Sequence, residues 1–310
     1  MTEKIGLVGL GAIGQIYAGH LLRAKHQLYV FDKKPERMNQ AVTNGAAATS
    51  SARELAEQSD VIILALPSPE AVEHAMRDTD GILAGARART LILDVSTINP
   101  DTSVKMYHAA KERGVSYLDA PVSGGAKGGA GTDGARNATI SFMVGGDKDA
   151  FERAQPIMAI LGKRWFYLGE AGSGSTVKLI SNLMAGLHNL VATEAFVLGA
   201  ACGIAPETLL EVFDGTDAKS FWLTDYFAPR ILRKDFEPGF SVDLQYKDHR
   251  LAGELGKKLN VPLLFNDLAT QFYQMMRAQG LGSRDLVESV NFWGKLCNAD
   301  IYHPREQKSE

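Results

Sequence analysis

The residues best suited to chemistry in this chain begin with a glycine pattern near its start. The apolar run Ile5-Gly6-Leu7-Val8 enters Gly9-Leu10-Gly11-Ala12-Ile13-Gly14, and Asp32 follows the apolar run Leu28-Tyr29-Val30-Phe31. A tight turn from strand to helix needs residues without Cβ, and a pyrophosphate must come close to bare amides at a helix N-terminus. Gly9, Gly11 and Gly14 supply that room, with Leu10, Ala12 and Ile13 between them. An acidic residue about 20 residues further on is placed to accept from a ribose hydroxyl. The pattern therefore implies a dinucleotide site, against the blander reading of a glycine turn in some other α/β protein. A carboxylate at Asp32 would repel the 2′-phosphate of NADP, so the expected cofactor is NAD. Lys33 and Lys34 stand beside it and partly offset that repulsion.

A second group lies near the middle of the chain. Lys178 and Asn182 are four residues apart in a long apolar stretch, so on a helix they share a face, while Val177, Ile180, Met184 and Val191 are available for packing. The lysine is open to two readings. It can be a snorkelling surface residue. It can also be a desolvated amine that takes a hydroxyl proton as hydride leaves, with Asn182 holding the substrate hydroxyl or the lysine. Leu66-Pro67-Ser68, Ser96-Thr97 and Asp119-Ala120-Pro121-Val122-Ser123-Gly124-Gly125 follow strand-like runs. The first two could touch the nicotinamide half of a cofactor. In the third, a hydroxyl and successive amides could hold a carboxylate. Each of these is also an ordinary turn sequence.

The elements that must position these groups follow from periodicity. Strand-like runs at 61–66, 90–95, 116–118, 140–144 and 165–167 alternate with helical segments such as 70–76 and 100–113. This predicts an α/β fold whose parallel, Rossmann-type dinucleotide-binding domain covers residues 1–170. From Gly174 onward strand signals almost cease. An all-α domain over 171–310 is expected, joined through a long interdomain helix at 175–202 of about 40 Å. Gly124 to Gly134 reads as a loop approaching ligand or backbone closely.

Composition narrows the function class. The chain has 310 residues, 45% of them hydrophobic and 22% charged, with a net charge of -3. No basic field is present to attract nucleic acid or an anionic membrane. Cys202 and Cys297 are far apart in sequence, so no metal site or redox pair is expected, and both are read as buried small apolar residues. There is no signal-peptide succession and no apolar run of about 18 residues to span a bilayer, which predicts a cytoplasmic protein. The sequon-like Asn137-Ala138-Thr139 then has no glycosylation meaning.

Taken together, Gly-Leu-Gly-x-x-Gly, Leu66-Pro67, Asp94-x-Ser96-Thr97, Asp119 to Gly125, Gly172-x-Gly174 leading to Lys178-x-x-x-Asn182, Glu194-Ala195 and Lys247-Asp248 resemble the β-hydroxyacid dehydrogenases. That group includes 3-hydroxyisobutyrate dehydrogenase and tartronate semialdehyde reductase, and the likeness covers nearly the whole chain. The resemblance implies that Ser123, Gly124 and Gly125 bind a substrate carboxylate, that Lys178 is the acid/base and that Asn182 assists it. It further implies that Thr97 lies by the nicotinamide, that Phe240, Lys247 and Asp248 close over cofactor and substrate, and that the helical domains form a homodimer or homotetramer. The activity implied is NAD-dependent oxidation of a small 3-hydroxy acid, or reduction of its semialdehyde.

This sequence departs from the pattern twice, with Ile13 where the family has Met and with about six extra residues in 126–141. If that loop covers the pocket, Arg136 could meet a second anionic group; otherwise the segment, with Asp133 and Asn137, is a solvent-exposed insertion. An imine reductase would carry Asp or Tyr in place of Lys178. A non-catalytic dinucleotide-binding protein would be expected to have lost Lys178, Ser123 or Asn182.

Overall fold

The computed structural model describes residues 3–124 and 132–304. The chain divides into two compact units, Met1–Leu179 and Ile180–Glu310.

The first unit is organised by short strands that are apolar on both faces. They are β1 (Ile5–Val8), β2 (Leu28–Phe31), β3 (Ala47–Ala48), β4 (Val61–Leu64), β5 (Leu91–Asp94) and β6 (Ser116–Asp119). All pair in parallel in the order β3-β2-β1-β4-β5-β6. Side chains alternate across a strand, and β4 shows the consequence. Val61 and Ile63 join one core with Leu7, Val30, Leu91 and Leu93, whereas Ile62 and Leu64 join another with Val8 and Ile92. A strand buried on both faces reads as an unbroken apolar run, which is why β1, β4 and β5 are visible in the sequence.

Helices cover both faces: α1 (Ala12–Arg23), α2 (Asn39–Thr43), α3 (Ala52–Gln58), α4 (Pro69–Arg77), α5 (Ile82–Gly85) and α6 (Pro100–Lys111). After β6 comes a smaller sheet, in which β7 (Val122–Ser123) pairs antiparallel with β8 (Ser141–Val144) and β9 (Arg164–Tyr167) pairs parallel with β8. Between its strands lie α7 (Thr132–Arg136) and α8 (Lys148–Leu161). The expected loop at 124–134 thus gives way to β7 before it and a helical turn at its end, while 125–131 lies outside the described residues. The described part of the 126–141 insertion is docked rather than solvated. Ala135 is fully buried in the α1 core, and its carbonyl meets His20 Nε2 at 2.9 Å, while Asp133, Arg136 and Asn137 are exposed.

The second unit is helical. The long helix α9 (Ser173–Ala201) runs through the division, so both units share it. It is followed by α10 (Pro206–Asp214), a π-helical turn at Trp222–Phe227, α11 (Ala228–Leu232), α12 (Val242–Lys258), α13 (Leu264–Ala278) and α14 (Ser289–Leu296). The fold is therefore the expected Rossmann-type unit followed by helices.

Three expectations are corrected along α9 and at the cysteines. By length and composition α9 could cross a membrane, because a few polar residues do not spoil so apolar a stretch. It is nevertheless built into a polar-bonded core: Asn189 Nδ2 donates to Ser289 Oγ at 3.0 Å and to the Leu286 carbonyl at 3.1 Å, and the Thr193 and Ser289 hydroxyls lie 2.6 Å apart. Its sides are also reversed, since Lys178, Asn182, Asn189 and Thr193 are buried while Val177, Ile180, Met184 and Val191 are exposed. Cys202 and Cys297 are exposed, each one residue beyond a helix end.

Candidate active site

The turn after β1 has the shape that its glycines allow. Gly9 has φ +94°, and a Cβ there would lie 2.4 Å from the Ala65 carbonyl. A Cβ on Gly14 would lie 2.0 Å from the Gly9 carbonyl, so α1 sits directly on the turn. Gly11 differs, because a Cβ there would meet nothing within 4 Å. The N-termini of α3, α4, α6 and α12 are capped by Ser51, Ser68, Asn99 and Ser241, but no side chain caps α1. Open space beside uncapped amides at a helix N-terminus fits a pyrophosphate. Ala12 is exposed and Ile13 half-buried at this opening, with Leu10 buried beneath.

Asp32, at the end of β2, is buried and already engaged. Its Oδ2 accepts the Leu10 N–H at 2.7 Å and its Oδ1 the Lys34 N–H at 2.8 Å. Arg37 Nη1 approaches Oδ2 to 3.8 Å, a partner that the sequence reading missed. A carboxylate has about four acceptor positions, so capacity for ribose hydroxyls remains.

At the carboxyl ends of β4 to β6 a buried network holds the neighbouring turns. Ser96 Oγ accepts the Leu66 N–H at 2.9 Å, Asp94 Oδ1 accepts the Ser96 N–H at 2.9 Å, and the Tyr117 hydroxyl donates to Asp94 Oδ2 at 2.7 Å. Burial pushes the Asp94 carboxyl up to about 6, against those hydrogen bonds. Ser96 therefore acts as scaffold, whereas Thr97 and Leu66 are half-buried and Pro67 is exposed. Ser123 stands opposite Ser141 in β7, with Gly124 after it, both half-buried. Gly125 lies outside the described residues.

On α9, Lys178 is 7% and Asn182 6% exposed, which removes the snorkelling reading of the lysine. Within the second unit, Asn182 Nδ2 donates to Asp248 Oδ2, whose other oxygen lies 3.1 Å from Lys247 Nζ. Gln245 Nε2 donates to the Asn182 carbonyl at 3.0 Å, a support three residues before Asp248 on α12. Phe240 is held by its backbone: its N–H donates to Asp285 Oδ2 at 2.9 Å, and its carbonyl accepts the Leu286 N–H at 3.0 Å. The same Asp285 oxygen accepts from the Tyr226 hydroxyl at 2.7 Å and the Gly239 N–H at 2.8 Å, and Arg230 Nη2 lies 3.7 Å away. Sequence reading missed Asp285 and Gln245, because neither stands in a pattern that names its partners. Among the described residues no cluster of His, Cys, Asp and Glu could hold a metal ion.

Comparison with known proteins places this geometry. Residues 4–169 match the NAD binding domain of 6-phosphogluconate dehydrogenase, and residues 172–293 the NAD-binding region of NADP-dependent 3-hydroxyisobutyrate dehydrogenase. The chain is 37% identical over 298 residues to 2-(hydroxymethyl)glutarate dehydrogenase of Eubacterium barkeri, covering 96% of this chain and 97% of the relative. The chain belongs to the β-hydroxyacid dehydrogenase family. Another relative of this oxidoreductase family is NAD-dependent L-serine dehydrogenase of Pseudomonas aeruginosa, 35% identical over 91% of this chain and 95% of that one. The family likeness extends to three dimensions. The structure of Mycobacterium tuberculosis 3-hydroxyisobutyrate dehydrogenase with L-serine aligns with TM-score 0.86 at 30% identity, covering 94% of this chain and 99% of that one.

Proposed function

We propose that this β-hydroxyacid dehydrogenase oxidises the primary alcohol of a small acid of the form HO–CH2–CHR–COO⁻ to its semialdehyde, or runs the reverse reduction, with NAD. The observation that carries the reading is the buried pair Lys178 and Asn182, one turn apart on α9. The named substrates of three relatives support the substrate form: 2-(hydroxymethyl)glutarate, L-serine and 3-hydroxyisobutyrate each place a hydroxymethyl group beside the carbon that bears a carboxylate. Asp32 supports NAD, and Gly11, Ala12 and Ile13 offer amides to the pyrophosphate while Leu10, its N–H held by Asp32, shapes the turn beneath them.

A bound NAD supplies the hydride acceptor at this site. The Lys178 amine takes the hydroxyl proton as the carbonyl forms, and returns one in reduction. Asn182 holds the hydroxyl, its amide oriented by Asp248. The Ser123 hydroxyl and the Gly124 and Gly125 amides orient the carboxylate. Thr97, Leu66 and Pro67 border the nicotinamide, and Phe240 and Lys247 cover the reacting groups. Exposed apolar side chains along α9 and α13 support self-association of the cytoplasmic enzyme as a homodimer or homotetramer.

The test is a reduction assay with NAD and NADP across 3-hydroxyisobutyrate, L-serine, 2-(hydroxymethyl)glutarate and glycerate. Turnover of one of these with NAD favoured is expected. Turnover confined to NADP would overturn the cofactor assignment, and NADH binding without any turnover would overturn the substrate form.

A further inference from the structure

The Asp119 side chain, 1% exposed at the end of β6, is joined to the first turn of α9 within the first unit. Its Oδ1 accepts the Gly172 N–H and its Oδ2 the Ser175 N–H, each at 2.8 Å. The Ser175 hydroxyl lies 2.8 Å from that of Ser103 on α6, so the same turn is steadied from a second side. The approach is close: a Cβ on Gly174 would lie 2.5 Å from the Asp119 carbonyl and 2.3 Å from that of Met143. The strand side is equally fixed. The Asp119 N–H and carbonyl bridge Gly145 at 3.2 and 2.9 Å, the Ala120 N–H donates to the Asp94 carbonyl at 2.7 Å, and the Pro121 carbonyl accepts the Met143 N–H at 3.0 Å.

Two short stretches of chain leave this junction. Ser123 is four residues beyond Asp119 along the strand path, and Lys178 is three residues beyond Ser175 along the helix. We infer that Asp119 is a positioning residue: it clamps α9 to β6 and thereby sets where the Lys178 amine stands relative to the Ser123 carboxylate grip. The inference rests on the roles proposed above for those two residues. An ordinary helix cap adds stability and leaves chemistry alone. This one lies less than a turn from the acid/base, where small displacements are costly in rate.

The experiment compares wild type with Asp119→Asn, Ser175→Ala and Lys178→Ala. Turnover is measured with NAD on L-serine, 3-hydroxyisobutyrate and 2-(hydroxymethyl)glutarate, NADH binding by fluorescence, and amide hydrogen exchange of the peptide spanning 175–179. For Asp119→Asn, kcat should fall by about 10- to 100-fold with NADH affinity unchanged, as misplacement of a reacting group predicts. Exchange in 175–179 should quicken, while exchange in β1 and α1 stays as in wild type. Ser175→Ala, which removes only a hydroxyl, should show a milder fall of the same kind and keeps the test alive if Asp119→Asn does not fold. A lowered melting temperature with wild-type kcat in these variants would mean a structural cap only, as would unchanged exchange in 175–179. If Lys178→Ala is inactive while Asp119→Asn keeps full turnover, the clamp alone is wrong. If Lys178→Ala itself keeps turnover, the acid/base assignment fails and the clamp proposal with it.

Discussion

A lysine serves as a proton carrier only if its amine is held out of bulk water within reach of the reacting hydroxyl, and Lys178 is 7% exposed on a helix otherwise rich in apolar residues. Lys178→Ala is expected to lower turnover by about 10²- to 10⁴-fold, the range for loss of a general acid/base, with NADH binding retained. Lys178→Arg should not restore it, because a guanidinium does not release its proton. Steady-state kinetics beside NADH fluorescence titration decides this, and unchanged turnover would remove Lys178 from its role.

Asp94 permits a different check at the same scale, since burial raises its carboxyl from 3.8 to about 6. The folded protein thus binds that proton more tightly than the unfolded chain. The resulting stabilisation is fully present below pH 4 and is lost as pH rises through 6, a difference of about 3 kcal/mol. Asp94→Asn cannot ionise, so in denaturant melts it should gain on wild type between pH 4 and 7. A pH-independent difference would show that Asp94 titrates normally.

Elements position these residues through contacts that sequence reveals unevenly. The central strands were legible because β1, β2 and β4 are apolar throughout and β5 is apolar up to Asp94, and α1 because the glycine turn announces it. By contrast, β3 is only Ala47–Ala48, too short to carry a period, and β7 lies against a glycine-dense stretch where strand propensity is low. Lys178 and Asn182 could be named from their spacing, but their burial could not, because α9 turns its apolar residues outward. The carboxylate anchors were least legible, since Asp119 binds amides more than 50 residues away. Asp285 is the clearest case: its oxygens gather Tyr226, Gly239, Phe240 and Val287, with Arg230 at 3.7 Å. Asp285→Ala leaves a buried guanidinium with less compensation and frees the Phe240 backbone. It should cost about 3–5 kcal/mol, the range for breaking a buried ion pair. Asp285→Asn should cost less, as Asn still accepts an N–H. Equal and small losses in urea melts of both variants would show that the loop is held by other contacts.

For the whole molecule the unexplained feature is apolar surface. On α9, Ile180, Met184, Val191 and Leu198 are 53%, 52%, 67% and 66% exposed, at spacings that keep them near one side of the helix. On α13, Leu264, Phe265 and Leu268 are 71%, 73% and 69% exposed. Single exposed apolar residues need no explanation, but a row along α9 and a cluster at the start of α13 make the kind of surface that calls for a partner. On its other side the helix turns polar Asn182, Asn189 and Thr193 to the interior, each with hydrogen-bond partners, which leaves the apolar side outward. A second copy of the chain is the occupant that fits without any further component. The wild type should therefore sediment at a multiple of 33.5 kDa. Replacing Val191 and Leu198 together by Glu should shift it toward the monomer, since charges at an apolar contact leave unpaired groups when buried. Because those two positions face away from the folded interior, the melting of isolated subunits should change little. Sedimentation velocity over a range of concentrations measures both, and a wild type that runs as a monomer throughout would show that these rows do not bind a second copy.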